Sequence, residues 1–172
     1  YKSGMAMKPV FERARANPKR VVYSEGEDRR VLRAVQVLID DSVCKPVLIG
    51  DPSAINSTAD ELGLRAKAGK DFDILDPKDF AESDSYTVTY AAKSGISNEE
   101  AKVALQSTPT FVACLMVDAG DADAMISGVQ SPYYDHLRHV HKVVGRKDGV
   151  GELSSLSVLI MHQQDTVFMC DT

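Results

Sequence analysis

Short β-branched runs alternate with longer stretches of helical periodicity along the first half of the chain. Residues 8–16 predict a helix with Pro9 at its first position, ended by Asn17-Pro18. Arg20 to Ser24 (RVVYS) has the length and composition of a buried strand. The tight acidic turn Glu25-Gly26-Glu27-Asp28 follows, and Asp28 is placed to cap a helix over 29–40. Val31, Leu32, Val35, Leu38 and Ile39 form the apolar face of that helix. Lys45 to Gly50 (KPVLIG) predicts a second strand. Asp51-Pro52 then supplies the cap and first residue of a helix reaching about Leu62, with Gly63 after it. Phe72 to Leu75 predicts a third strand, ended by Pro77. This alternation implies a parallel sheet with right-handed crossovers.

The second half turns helical. Asp84 to Lys93 predicts a helix closed by Gly95. Ser97-Asn98-Glu99-Glu100 is a capping box, in which Ser97 and Glu100 satisfy each other's orphan amides, for a helix to about Gln106. Residues 109–119 are apolar nearly all round, as a buried helix requires. Gly120 to Gly145 then gives a turn at Asp121 to Asp123, a short apolar strand at Ala124-Met125-Ile126, turn chemistry from Ser127 to Pro132, and a basic amphipathic helix from near Tyr134. Residues 146–151 read as a polar, glycine-bearing linker, and 153–161 and 166–170 as two strands. The expected fold is α/β: a three-layer α/β/α arrangement with a mostly parallel sheet, plus the start of a second subdomain. Its divisions are 1–8, a linker from a preceding domain; 9–145, a first subdomain; and 146–172, a linker with the first strands of a truncated second one. Tyr1-Lys2-Ser3-Gly4 without an initiator Met, and an end in a strand-like run, make the chain look cut at both ends.

Composition narrows the classes. The chain has 172 residues, 44% hydrophobic and 26% charged, enough for a sizeable core of ordinary globular type. A net charge of -5 with no basic run gives no reason to expect nucleic acid. No apolar stretch approaches the ~20 residues of a membrane helix, and no signal peptide is visible, so no membrane partner is expected. Cys44, Cys114 and Cys170 are odd in number and far apart. They read as reduced thiols of a cytoplasmic protein, without disulfide framework or zinc site.

The best site candidate is the strand, small-residue loop and helix within Gly120 to Gly145. Backbone N–H groups and a positive helix end face outward at such a junction and favour an anion. Ser127, Gly128, Gln130 and Ser131 would supply the close approach, and Arg138, about one turn into the helix, a bidentate clamp. An ordinary strand-to-helix turn with a surface arginine fits the same residues equally well. His136, His139 and His141 do not make a metal set. His141 is five residues beyond His136, and Asp135, the one carboxylate at hand, suits an N-terminal helix charge. Glu25-Gly26-Glu27-Asp28 reads as helix capping rather than a catalytic carboxylate pair. Gly26 and Gly50 follow strands without completing a nucleotide-binding glycine motif.

Two segments resemble the phosphate acetyltransferase family. One is Val21-Val22-Tyr23-Ser24-Glu25-Gly26-Glu27-Asp28-Arg29-Arg30-Val31-Leu32-Arg33-Ala34 with Lys45-Pro46-Val47-Leu48-Ile49-Gly50. The other is Gly120-Asp121-Ala122-Asp123-Ala124-Met125-Ile126-Ser127-Gly128 with Leu137-Arg138. Tyr1-Lys2-Ser3-Gly4 followed by Met7-Lys8-Pro9-Val10-Phe11 is similar to the entrance of the C-terminal transacetylase-like domain of large bacterial NADP-dependent malic enzymes. The resemblance implies a parent that oxidatively decarboxylates malate to pyruvate, with NADP and a divalent metal (Mg or Mn) in other domains and no cofactor in this segment. It places Ser127, Gly128 and Arg138 where the transferases hold acetyl phosphate and the pyrophosphate region of CoA. It also puts Ala91, with Lys93 two residues away, where the active family carries an arginine on the acyl phosphate. The remaining catalytic groups would lie beyond Thr172. The resemblance therefore implies a regulatory, acetyl-CoA-binding segment in a homo-oligomer, next to the N-terminal malic enzyme domains and with no catalytic residue of its own. A working phosphate acetyltransferase and a purely architectural domain are the alternatives.

Overall fold

The computed structural model describes residues 2–160 and 166–171. β1 (Lys19–Tyr23) and β2 (Cys44–Ile49) run parallel at the centre of a four-stranded sheet, with Val22 opposite Val47. β3 (Asp73–Leu75) lies beside β2 and β4 (Ala124–Ile126) beside β1, both parallel, giving the order β3-β2-β1-β4. Side chains alternate along these strands, so each face of the sheet builds its own core. Tyr23 and Leu48 meet Val31, Leu32 and Val35 of α2 (Arg29–Asp40) and Ile55 of α3 (Pro52–Glu61). Val22, Val47 and Ile49 meet the other layer: α4 (Pro77–Ala81), α5 (Asp84–Ser94), α6 (Asn98–Ser107), α7 (Pro109–Ala119) and α8 (Tyr133–Val143). α7 is the spine of that layer. Every residue from Thr110 to Met116 is buried, which accounts for its apolar character all round. The expected three-layer α/β architecture is thus present.

Local chemistry sets most boundaries. Asp28 accepts the Arg30 amide at 2.8 Å and starts α2, while Asp51 accepts the amides of Ser53 and Ala54 and starts α3. The capping box is complete: Ser97 Oγ accepts from Glu100, and the Ser97 amide donates back to the Glu100 carboxylate. That amide, with the hydroxyl, holds Glu100 below the usual carboxylate range. Gly95 and Gly120 close α5 and α7 with φ of 66° and 82°.

Three expectations change. α1 (Lys2–Ala16) starts at Lys2, so Pro9 lies inside it rather than at its first position, and the stretch read as a linker is helical from Lys2. A proline there removes one helical hydrogen bond, and the helix-forming neighbours Ala6, Met7 and Lys8 carry the turn past it. Pro77 does not simply end β3. Asp76 accepts the Lys78 amide at 2.9 Å, and Pro77 opens α4, a turn of helix that the sequence reading lacks. The strand expected from Leu153 begins at Ser155, and its expected end at Met161 lies outside the described residues. β5 (Ser155–Ile160) and β6 (Thr166–Asp171) form a separate antiparallel pair in which Leu156, Val158, Phe168 and Met169 are exposed. Cys44, Cys114 and Cys170 are all unpaired, and burial pushes the Cys114 thiol up to about 12. Among the described residues no helix is long and apolar enough to cross a membrane.

The turn after β1 is pressed onto β2. The Gly26 amide donates to the Ile49 carbonyl at 3.0 Å, and a Cβ on Gly26 would lie 2.7 Å from that oxygen. Gly26→Ala should therefore cost roughly 1–3 kcal/mol through forced displacement of backbone, read as a lower thermal midpoint by calorimetry. Gly151→Ala, at an open position, should leave the midpoint unchanged.

Candidate functional site

The chain leaves β1 toward β2 and β3, then returns through α4 to α7 to place β4 on the far side of β1. At such a reversal the loops leaving the two strands diverge and open a crevice beyond their carboxyl ends. Here those loops are 24–28 and 127–132. The crevice is a cavity of about 530 Å³. Ser24, Glu25, Gln130 and Ser131 from the two loops line it, together with Asp51, Asp76, Lys78, Thr110, His136 and His139.

Glu25 crosses this opening. Its carboxylate accepts the amides of Gly128 at 2.9 Å, Val129 at 3.0 Å and Gln130 at 2.8 Å. Gly128, at φ 114°, bends the loop so that the three N–H groups converge on one anion. The same loop is braced by Arg30, which donates to the Val129 carbonyl at 3.0 Å, and by the Gln130 side chain, which donates to Asp28 at 3.3 Å. Arg30 also forms two hydrogen bonds to Asp28, at 3.0 and 2.9 Å, and holds that carboxyl well below the usual range. The amides expected to face outward toward a ligand are therefore occupied by the protein's own carboxylate. The sequence predicts only a capping turn at Glu25. Strand order, which brings residues 103 positions apart together, gives it this other task.

His136 stands behind Glu25. It is 8% exposed, its Nδ1 lies 3.1 Å from Thr110 Oγ1, and its Nε2 lies 3.7 Å from Glu25 Oε1, too far for a hydrogen bond. His139 packs edge-on to Phe111 at 4.3 Å, and burial, helped by the neighbouring His136, lowers its pKa. His136 and His139 both line the crevice, and His141 lies on the outer side of α8 beside Arg138, so the three histidines do not come together.

The expected site residues divide in the same way. Gln130 and Ser131 line the crevice. Ser127 and Gly128 line a separate hollow of about 220 Å³ with Tyr133, His136, Leu137 and Val140, and His136 is common to it and the crevice. Arg138 is exposed in a third concavity, about 390 Å³, with Tyr134, His141 and Lys142. Leu137 lines both of the last two. Two residues of helix turn the chain by about 200°, so Arg138 points away from the crevice into which His136 is turned. Ala91 is buried in the core, and Lys93 is engaged elsewhere: its ammonium pairs with Asp118 at 2.6 Å and donates to the Val143 carbonyl at 2.7 Å. Among the described residues no arginine lines the crevice. Lys78 is the one fixed cation among the described lining residues, which also include Glu25, Glu27, Asp51, Asp76 and Asp135.

Residues 5–172 match the family model described as phosphate acetyl/butaryl transferase. The chain belongs to this family. It is 40% identical to the NADP-dependent malic enzyme of Escherichia coli (strain K12) over 175 residues, which is all of this chain and 23% of that enzyme. The phosphate acetyltransferase of Nitratidesulfovibrio vulgaris is 32% identical over 162 residues, 92% of this chain and 22% of its own. Among solved structures, a phosphotransacetylase from Streptococcus pyogenes superposes with a TM-score of 0.79 at 22% identity, over 94% of this chain and 50% of that one. That likeness shows a shared fold. The chain thus spans less than a quarter of these curated relatives and half of the solved one.

The Asp28–Arg30 pair ties the loop brace to pH. A carboxyl held low in the folded state adds stability that is present above its unfolded pKa and lost as pH falls toward the folded value. Urea midpoints should thus drop between neutral pH and pH about 3. Asp28→Asn should remove part of that drop while retaining a helix cap.

Proposed function

We propose that this domain binds acetyl-CoA without turning it over and regulates the malic enzyme of which it forms part. The occupied amides carry this reading. In an acetyl transfer, positive groups must meet the negative charge that develops on the phosphate. The crevice offers instead a loop whose N–H groups are already spent on Glu25, five carboxylates and no arginine. The hollow lined by Ser127 and Gly128, with the concavity next to it, has the character that CoA requires. Ser127 and Gly128 open onto Leu137, and Arg138, His141 and Lys142 lie just beyond, beside Tyr134. The Arg138 guanidinium in this shallow concavity suits the phosphates of CoA, and the tyrosine offers a face for its base, while the Lys142 ammonium lies over the rings of Tyr90 and Phe111 at 5.6 and 6.0 Å.

The rest of the reading extends the likeness to malic enzymes. The parent oxidises malate to pyruvate in the cytoplasm with NADP and Mg or Mn, all held by other domains. Acetyl-CoA bound along α8 changes that rate through contacts between the subunits of a homo-oligomer.

Titration calorimetry of the intact protein with acetyl-CoA tests the proposal. Binding is expected, and Arg138→Ala should weaken it roughly 10- to 100-fold, the value of one charge-assisted hydrogen bond. Malate oxidation should respond to acetyl-CoA in the native protein, and no acetyl phosphate should form from acetyl-CoA and phosphate. Absence of binding, or binding indifferent to Arg138→Ala, contradicts the ligand site. Acetyl transfer at ordinary enzymatic rates would show a working transferase instead.

A further inference from the structure

We propose that Glu25 is the positioning residue of the acyl-CoA site, setting both the loop at 127–131 and the start of α8 from the far side of the sheet switch. The inference rests on the acyl-CoA reading for what the site binds. It does not rest on it for what holds the site in shape.

The loop has little else to define it. It follows a strand of three residues that pairs with β1 alone, and Gly128, Gln130 and Ser131 are exposed. Such a segment lacks the apolar burial that fixes a conformation and sits at the low-stability end of a fold. Its order comes from hydrogen bonds supplied by the β1–α2 turn, and Glu25 makes three of them. The chemistry is specific to a carboxylate. Every group that faces it from the loop is a donor, so an acceptor-only side chain fits, and a carboxamide would set its own NH₂ against an amide N–H. Aspartate is shorter by a methylene and cannot reach all three.

The reach of Glu25 extends to α8. Its Oε1 lies 3.7 Å from His136 Nε2, a nitrogen that is buried and has no hydrogen-bond partner, while Thr110 fixes the other side of that ring. His136 and Arg138 belong to the same two turns of α8. Gln130 lies two residues before Pro132, the cap of α8, so a shift of the Glu25 carboxylate moves the loop and, through the chain, the entry of α8. Gly26 makes the anchor stiff, because its close contact with Ile49 leaves the turn no room to slide.

Hydrogen exchange read by mass spectrometry on the intact protein, with and without Glu25→Gln, tests the positioning directly. In the native protein the peptide covering 127–132 should exchange far more slowly than an exposed loop. Exchange there at the rate of a free chain overturns the proposal without any variant. Glu25→Gln should release that peptide and the first turn of α8, leaving the other helices protected. Acetyl-CoA binding should weaken roughly tenfold, the order of loss expected from a misplaced clamp. Arg138→Ala should then cost less in the Glu25→Gln background than in the native one, because the two act through one placement. A released loop with unchanged affinity, or an unchanged loop, overturns the proposal. Should Glu25→Gln fail to fold, Glu25→Asp, which keeps the charge, takes its place with the same outcomes in smaller degree. If the native protein binds no acetyl-CoA, the ligand reading falls, and loop exchange still decides whether Glu25 holds the segment.

Discussion

The carboxylate of Glu25, held by three consecutive amides from a loop more than 100 residues away, joins the two strands at which the sheet changes direction. Much of the local architecture exists to make that meeting possible. Val22 and Val47 fix β1 against β2, and Gly26 lets the turn after β1 lie flat on Ile49. Gly128 takes a left-handed φ that aims three N–H groups at one point. A buried charge is costly unless hydrogen bonds replace its lost hydration, and these amides do so. Breaking one partner of such a set leaves a penalty larger than the bond itself was worth.

That same contact decides what the site can do. Converging amides at a strand-to-helix loop are an anion receptor, and here the anion is built in. What remains in the crevice is mostly negative, with Asp51 and Asp76 bound to the helices they cap. The basic character of the region sits on the outer side of α8, with Arg138. One helix thus separates a crevice poor in positive charge from a concavity that suits phosphates, and Leu137 is the seam between the loop and the basic side.

Local chemistry was readable from the sequence because it involves neighbours. The caps at Asp28, Asp51 and Ser97, the glycine stops at Gly95 and Gly120, and the buried character of α7 all depend on residues a few positions apart. Two local readings went wrong because proline serves both as a stop and as a first helical residue. Pro77 opens a helix, and Pro9 is carried inside one. The site was readable only in outline. The right loop stood out from its small residues, but the partner of its amides depends on strand order, which no local pattern encodes. The separation of Arg138 from Gln130 and Ser131 was available in principle. Helical spacing alone puts Arg138 on the opposite side of the helix from His136, and the buried face of α8 then fixes which of them turns inward.

The central claim is that ligand binds beside an intact Glu25 rather than in its place. A crystal structure of the intact protein with acetyl-CoA addresses this most directly. CoA phosphates are expected against Arg138, with Glu25 still accepting the amides of Gly128, Val129 and Gln130. An acyl group or phosphate seated on those amides in the crevice, with the Glu25 carboxylate displaced, would contradict it.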